Sequence, residues 1–244
     1  MHAPTPAQAL HIARTVATAR YPGFACAFVA GSILRGQGTY MSDIDLVVVH
    51  GRLDAALRES FLADGVPVEA FVHDPQTLAW FIDDDVARGR PSLLNMIAEG
   101  TAIGNLEQAR VLQQGIARRL RAGPPALTAA QLDALRYEIT DAIDDLRGER
   151  TAGEIMAIGA MLHPRLAELS LRGRGRWNGV GKWLPRLLAQ ADAALAARYQ
   201  QAFDALFKAG QCEAVIALAE AELAPHGGPL FDGDRRVAPA SWRA

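Results

Sequence analysis

Apolar positions come in short alternating or continuous runs early in the chain and at helical spacing almost everywhere else. Residues 24–30 (FACAFVA) are nearly all apolar, as a strand covered on both faces would be. Residues 43–49 (DIDLVVV) open with alternation, Asp43 and Asp45 against Ile44 and Leu46, and close in valines. In 66–73 (VPVEAFVH), Val66, Val68, Ala70 and Val72 share one face and Glu69, Phe71 and His73 the other. Helical spacing predicts a first helix capped by Thr5 with Pro6 at its opening, its apolar face Ala9, Ile12, Ala13 and Val16. It further predicts a short helix over 53–63, a helix from Asp74-Pro75 to Arg88, a helical piece at 91–99 and a helix at 106–121, with a short strand at 101–104.

Gly123-Pro124-Pro125 stops this pattern, since proline lacks the donor a helix needs and forces extended geometry on the residue before it. Beyond it no strand-like run occurs. Thr128 is expected to cap a helix to Gly148 and Thr151 another to Leu171; further helices are predicted near 182–190, 192–209 and 211–223. The expectation is an α+β chain: an α/β domain with a small mixed sheet over 1–122, a helical bundle over 128–225, and a loosely attached tail over 226–244 rich in Pro and Gly.

Composition narrows the classes. The chain has 244 residues, half of them hydrophobic, enough to bury a substantial core. A net charge of −2 argues against a surface built to grip long nucleic acid. Apolar runs fall short of the ~20 residues that span a bilayer, and the first twenty residues lack a basic start followed by an apolar block, so no membrane association and a cytoplasmic location are expected. Cys26 and Cys212 read as buried reduced thiols.

The chemistry concentrates in 31–49, GSILRGQGTYMSDIDLVVV. Strand geometry puts Asp43 and Asp45 on one face, roughly 6–7 Å apart along the backbone. Carboxylates that close repel unless a cation lies between them, and a hard divalent ion such as Mg2+ takes oxygen ligands, phosphate oxygens included. Gly31 and Ser32, at a strand end, offer backbone N–H groups that an anion can approach closely.

Gly31-Ser32, followed by a loop and by Asp43 and Asp45 in SDIDLVVV, resembles the signature of the DNA polymerase beta-like nucleotidyltransferases. Length and layout are nearest to the small-molecule branch, which includes the kanamycin and other aminoglycoside nucleotidyltransferases that modify antibiotics. The resemblance implies transfer of an NMP, AMP first among them, from a nucleoside triphosphate to a hydroxyl of a small molecule, with release of pyrophosphate. Two Mg2+ ions, about 3.5–4 Å apart in such sites, would be bridged by Asp43 and Asp45. Glu69 matches the third carboxylate, the alternative being an edge-strand glutamate in water. Ser32 would hold a β- or γ-phosphate and Arg35 add positive charge nearby. The catalytic cleft would lie between the two domains. From the helical domain, Lys182, in the loop that also carries Arg172, Arg174 and Arg176, would contact the phosphates, and Glu138 would be the general base.

Several residues keep two readings. Asp141, Asp144 and Asp145 continue an acidic stripe with Glu138, and Glu154 starts the next helix; the stripe is either a contact for a cationic aminosugar or a solvated face. Asp83-Asp84-Asp85 reads as a helix-surface charge run, and His163-Pro164 as a kink rather than a catalytic histidine. Trp177 and Trp183 either stack on a nucleobase or anchor the bundle core. Rival functions are nucleotidylation of a protein or an RNA end, a toxin–antitoxin component, and a non-catalytic nucleotide-binding regulator. A homodimer sharing a site between subunits is compatible with the sequence.

Overall fold

A computed structural model describes residues 4–238, 241 and 243. The chain is α+β, with a mixed sheet and its helices in the first half and, among the described residues, helices without strands in the second. Residues to Gly123 form one compact unit and those from Pro124 another.

The first unit begins with α1 (Pro6–Arg20), whose N-terminus carries the predicted cap: the Thr5 hydroxyl accepts from the Gln8 N–H while the Gln8 side chain accepts from the Thr5 N–H. Strands β1 (Cys26–Ala30), β2 (Ile44–Val49), β3 (Leu57–Ala63), β4 (Val66–His73) and β5 (Thr101–Gly104) pair in the order β3-β4-β2-β1-β5. Among the described strands the β2–β4 pair is parallel and the other pairs are antiparallel. Helices α2 (Pro75–Arg88), α3 (Ser92–Glu99) and α4 (Leu106–Ala122) complete the unit.

Alternation along the strands gives the sheet two faces. Ala27, Val29, Ile44, Leu46, Val48, Val68, Ala70 and Val72 bury against Ala9, Ile12, Ala13 and Val16 of α1. Cys26, Phe28, Val47 and Val49 pack with Leu78 and Ile82 of α2, Leu94 and Ile97 of α3, and Ala109 and Ile116 of α4. Asp45 and Glu69 belong by alternation to this second face, beyond the last apolar residue at the end where β2 and β4 begin.

Two expectations are corrected here. The stretch predicted as a helix over 53–63 contains strand β3, the outer arm of a hairpin with β4. Ala63 pairs with Val66 across Asp64 and Gly65, both at positive φ (51° and 75°), the two-residue turn that matches strand twist. Asp-Gly between apolar runs signals a hairpin, and pairing to β4 outweighs the weak helical spacing of 53–63. The Asp83–Asp85 run is not wholly at the surface. Asp85 is buried and accepts from the Leu93 N–H (2.7 Å) at the start of α3 and from Arg88 (2.9 Å). Burial, the largest influence, raises its pKa above the usual carboxylate range. Asp83 and Asp84 pair with Arg119 and Arg88.

The second unit contains α5 (Ala129–Arg147), α6 (Ala152–Arg172), α7 (Trp183–Ala191), α8 (Ala193–Ala209) and α9 (Glu213–Leu223). Its core joins Ile139, Ile143, Leu162, Leu166, Leu195, Phe203 and Val215. α6 runs unbroken through Pro164. The 227–236 segment lies along α5: Arg136 donates to the Gly227 and Gly228 carbonyls, Thr140 accepts from the Leu230 N–H, and Phe231 stacks on Tyr137. Cys26 is buried, whereas Cys212 is partly exposed; both are free thiols.

A cross-link at the hairpin ties α1 to the sheet. Arg20 donates through Nε and Nη2 to Glu59 of β3 (3.0 and 2.5 Å), and the Tyr21 hydroxyl donates to the same carboxylate (2.6 Å). The Arg20 and Tyr21 hydrogen bonds hold the Glu59 pKa down at about 2, below its ordinary 4.5. A depressed folded-state pKa contributes stability that is complete above the ordinary value and is lost as pH falls through the folded one. Glu59→Gln is therefore expected to lower the Tm by roughly 2–4 °C at pH 7. The gap from wild type should narrow between about pH 4.5 and 2 in melts followed by circular dichroism. A gap unchanged across that window would contradict the assignment.

Candidate metal centre

The site is assembled at the end of the sheet where β1 stops and β2 and β4 start. Ala30, the last residue of β1, pairs with Asp45, and Asp45 lies opposite Glu69 across the parallel β2–β4 pair. Asp43 precedes β2 by one residue. One ligand oxygen from each of Asp43, Asp45 and Glu69 falls within 4.8 Å of the others, and this carboxylate trio is the one cluster of potential metal-ligating side chains among the described residues. Three such groups converging without a counter-cation repel one another. Oxygen-only donors, partly open to solvent, are the set a hard divalent ion accepts.

Gly31 is what lets the strands close on this point. It sits at φ 103°, a conformation that residues with a side chain rarely adopt. A Cβ there would lie 2.9 Å from Asp45 Oδ2 and 3.4 Å from the Asp43 carbonyl oxygen. Glycine is thus required both by the backbone turn and by the adjacent carboxylate.

The loop from Ser32 to Ser42 folds back on itself. The Ser32 hydroxyl donates to Ser42 Oγ (3.0 Å), which also accepts from the Thr39 N–H (2.8 Å); the Ser32 carbonyl accepts from the Gln37 N–H (2.9 Å). Ser32, a predicted phosphate contact, is nearly buried and holds the loop that delivers Asp43. Arg35 pairs with Glu99 at the end of α3 (3.2 Å). An open cavity of about 300 Å3 is bordered by Asp43, Glu69, Ser60 and Pro67. A second cavity, of about 780 Å3, is lined by Ser42, Tyr40, His11, Pro67 and the Asp64-Gly65 turn.

Arg58 is the residue that sequence reasoning missed. Its Nε donates to Glu69 Oε1 at 2.9 Å and its Nη2 to the same oxygen, while the guanidinium lies 5.5 Å from the centre of the Phe71 ring. With 53–63 read as a helix, nothing placed Arg58 beside β4. The Asp64-Gly65 turn was the available signal, because its register sets Arg58 opposite Phe71 and Ser60 opposite Glu69.

In the helical unit, Glu138 pairs with Arg165 (2.9 Å), which also reaches Glu168 (3.5 Å). Asp144 pairs with Arg147 and Asp145 with Arg150, so these members of the acidic stripe are countered by arginines of the same unit. Glu154 closes the capping box of α6 with Thr151. Lys182 is exposed and immediately precedes α7. Arg174 of the preceding loop is committed to the buried Glu222 (2.6 Å), and Arg172 donates to the Pro125 carbonyl. Trp183 lies under the Arg186 guanidinium (5.2 Å). His163 packs edge-on against Phe203 (4.6 Å), and burial lowers its pKa.

No protein-family model matches the chain, and no curated protein matches it in sequence. Among solved structures it is similar to a nucleotidyltransferase-like protein from Exiguobacterium sibiricum 255-15. The identity is 15% and the TM-score 0.44, with 88% of this chain and 73% of that one covered.

Gly31→Ala places a methyl against Asp45 in a backbone conformation it disfavours. It should cost about 1–3 kcal/mol in denaturant unfolding. Wild-type stability would show that the close approach is not needed.

Proposed function

We propose that the chain is a Mg2+-dependent nucleotidyltransferase that moves an NMP, AMP first among the candidates, from a nucleoside triphosphate to a hydroxyl of a small, aminoglycoside-like acceptor. The observation that carries this reading is the convergence of Asp43, Asp45 and Glu69 beside the Gly31-Ser32 turn. The donor set fits the ion, being all oxygen and partly open to solvent. Asp43 and Asp45 would hold Mg2+, and Glu69 would join them as the third carboxylate. When bound, the ions supply Lewis-acid neutralisation of charge on the triphosphate.

In the reaction the acceptor oxygen bonds to the α-phosphorus, the bond to the bridging oxygen breaks, and pyrophosphate leaves. The acceptor's proton passes to a carboxylate. To Glu138 we assign that role, and to Lys182 a phosphate contact. Glu138 would have to exchange its Arg165 partner for the acceptor hydroxyl. Ser32 acts here by fixing the loop, and a phosphate contact from its hydroxyl would require it to leave Ser42. Rate in such a reaction comes mainly from orientation and from fixed charge near the phosphates.

The cavity of about 300 Å3 bordered by Asp43 and Glu69 is of a size for a small molecule, and with the charge of −2 it favours a small acceptor over long nucleic acid. The test is pyrophosphate release with each NTP against a panel of aminosugars, other hydroxylated antibiotics, proteins and RNA ends. Asp43→Asn and Asp45→Asn are each expected to reduce turnover by at least a hundredfold while shifting the Tm by only a degree or two. Activity above a few per cent of wild type in both variants would rule out the proposed role.

A further inference from the structure

Three carboxylates in one place need a cation, and this chain brings one of its own. Arg58 projects from β3 onto Glu69 with two N–H groups on the same oxygen, and its guanidinium rests near Phe71, its cross-strand partner. The two side chains differ in how tightly they are held. Arg58 is 65% exposed, so it can turn away into solvent without unpacking the core; Glu69 is 19% exposed and anchored in the interior of the sheet. Asp45 lies across from Glu69 on β2, on the side away from β3. The arginine therefore occupies one carboxylate of the trio.

We infer that Arg58 is a resident counter-cation that withholds Glu69 from the metal in the nucleotide-free protein. Glu69 becomes a ligand when the guanidinium swings off. Arg58 is a positioning residue, acting through Glu69 and setting how many carboxylates the site presents. The inference rests on the reading of the trio as a metal centre, and it adds a residue that competes with the metal. An ion pair whose cationic partner is open to solvent is a weak latch, worth up to about fivefold in an equilibrium. That strength suits a contact that an arriving metal and polyphosphate can displace.

The test is Mn2+ binding to the full chain without nucleotide, followed by titration calorimetry and by the electron paramagnetic resonance signal of free Mn2+. Arg58→Gln is expected to tighten binding two- to fivefold. Removing a positive charge would also tighten binding through space, so the same substitution is made in a Glu69→Gln background. There the gain should be less than half as large, because the carboxylate to be released is absent. No gain from Arg58→Gln in the otherwise wild-type chain, or equal gains in both backgrounds, would overturn the inference. Asp43→Asn and Asp45→Asn distinguish loss of the metal centre from loss of the Arg58 role. If Mn2+ binding survives both, or wild type binds none, the metal centre itself is wrong. If both abolish binding while Arg58→Gln equals wild type, only the role of Arg58 is lost. Thermal melts of each variant establish that the comparison is between folded proteins.

Discussion

The parallel pairing of β2 with β4 is the constraint on which the site depends. It sets Asp45 opposite Glu69, and a slip of one residue would turn one of them toward α1 and the other away. The hydrophobic pattern guards against that slip. Ile44, Leu46 and Val48 must enter the α1 core together with Val68, Ala70 and Val72, and Val47 and Val49 must meet the helices of the opposite face. The carboxylates hold their places because the valines around them do. Electrostatic cost at the strand ends is thus sustained by burial in the strand middles, a division of labour common where rigid elements carry a reactive cluster.

Much of this could be read from the chain. Alternation in VPVEAFVH put Glu69 on the face away from the core formed with α1, and the capping residues Thr5, Thr128 and Thr151 start their helices where expected. Gly31 was legible as a glycine that permits a close approach, although the group that approaches it is the Asp45 carboxylate. What escaped was the hairpin. Residues 53–63 carry apolar positions compatible with either period, and their pairing with β4 is a tertiary fact that only the Asp64-Gly65 turn advertises. Arg58 was lost with it. Asp85 escaped for a similar reason: three consecutive aspartates look solvated, yet helix periodicity turns the third inward, where the start of α3 needs an acceptor.

The helical unit shows how arginines can be engaged internally. Arg147, Arg150, Arg165 and Arg174 all pair with carboxylates of that unit, and Arg136 clasps the carbonyls of 227 and 228. A run such as RGRGRWNGVGKW therefore overstates the positive charge left for a ligand. Arginine is suited to this work, since its planar fork satisfies two acceptors at once.

The order of strands has a consequence for how the protein comes together. The β3–β4 hairpin and the helices with self-sufficient caps depend on neighbours in sequence, whereas β1 must find β5 some seventy residues further on. Contacts that span long stretches close slowly, because chain entropy is lost before they reward it. Helical content should consequently be regained ahead of the β1–β5 pairing that completes the sheet. A spectroscopic signal dominated by helices would report a nearly native chain while the far edge of its sheet was still open.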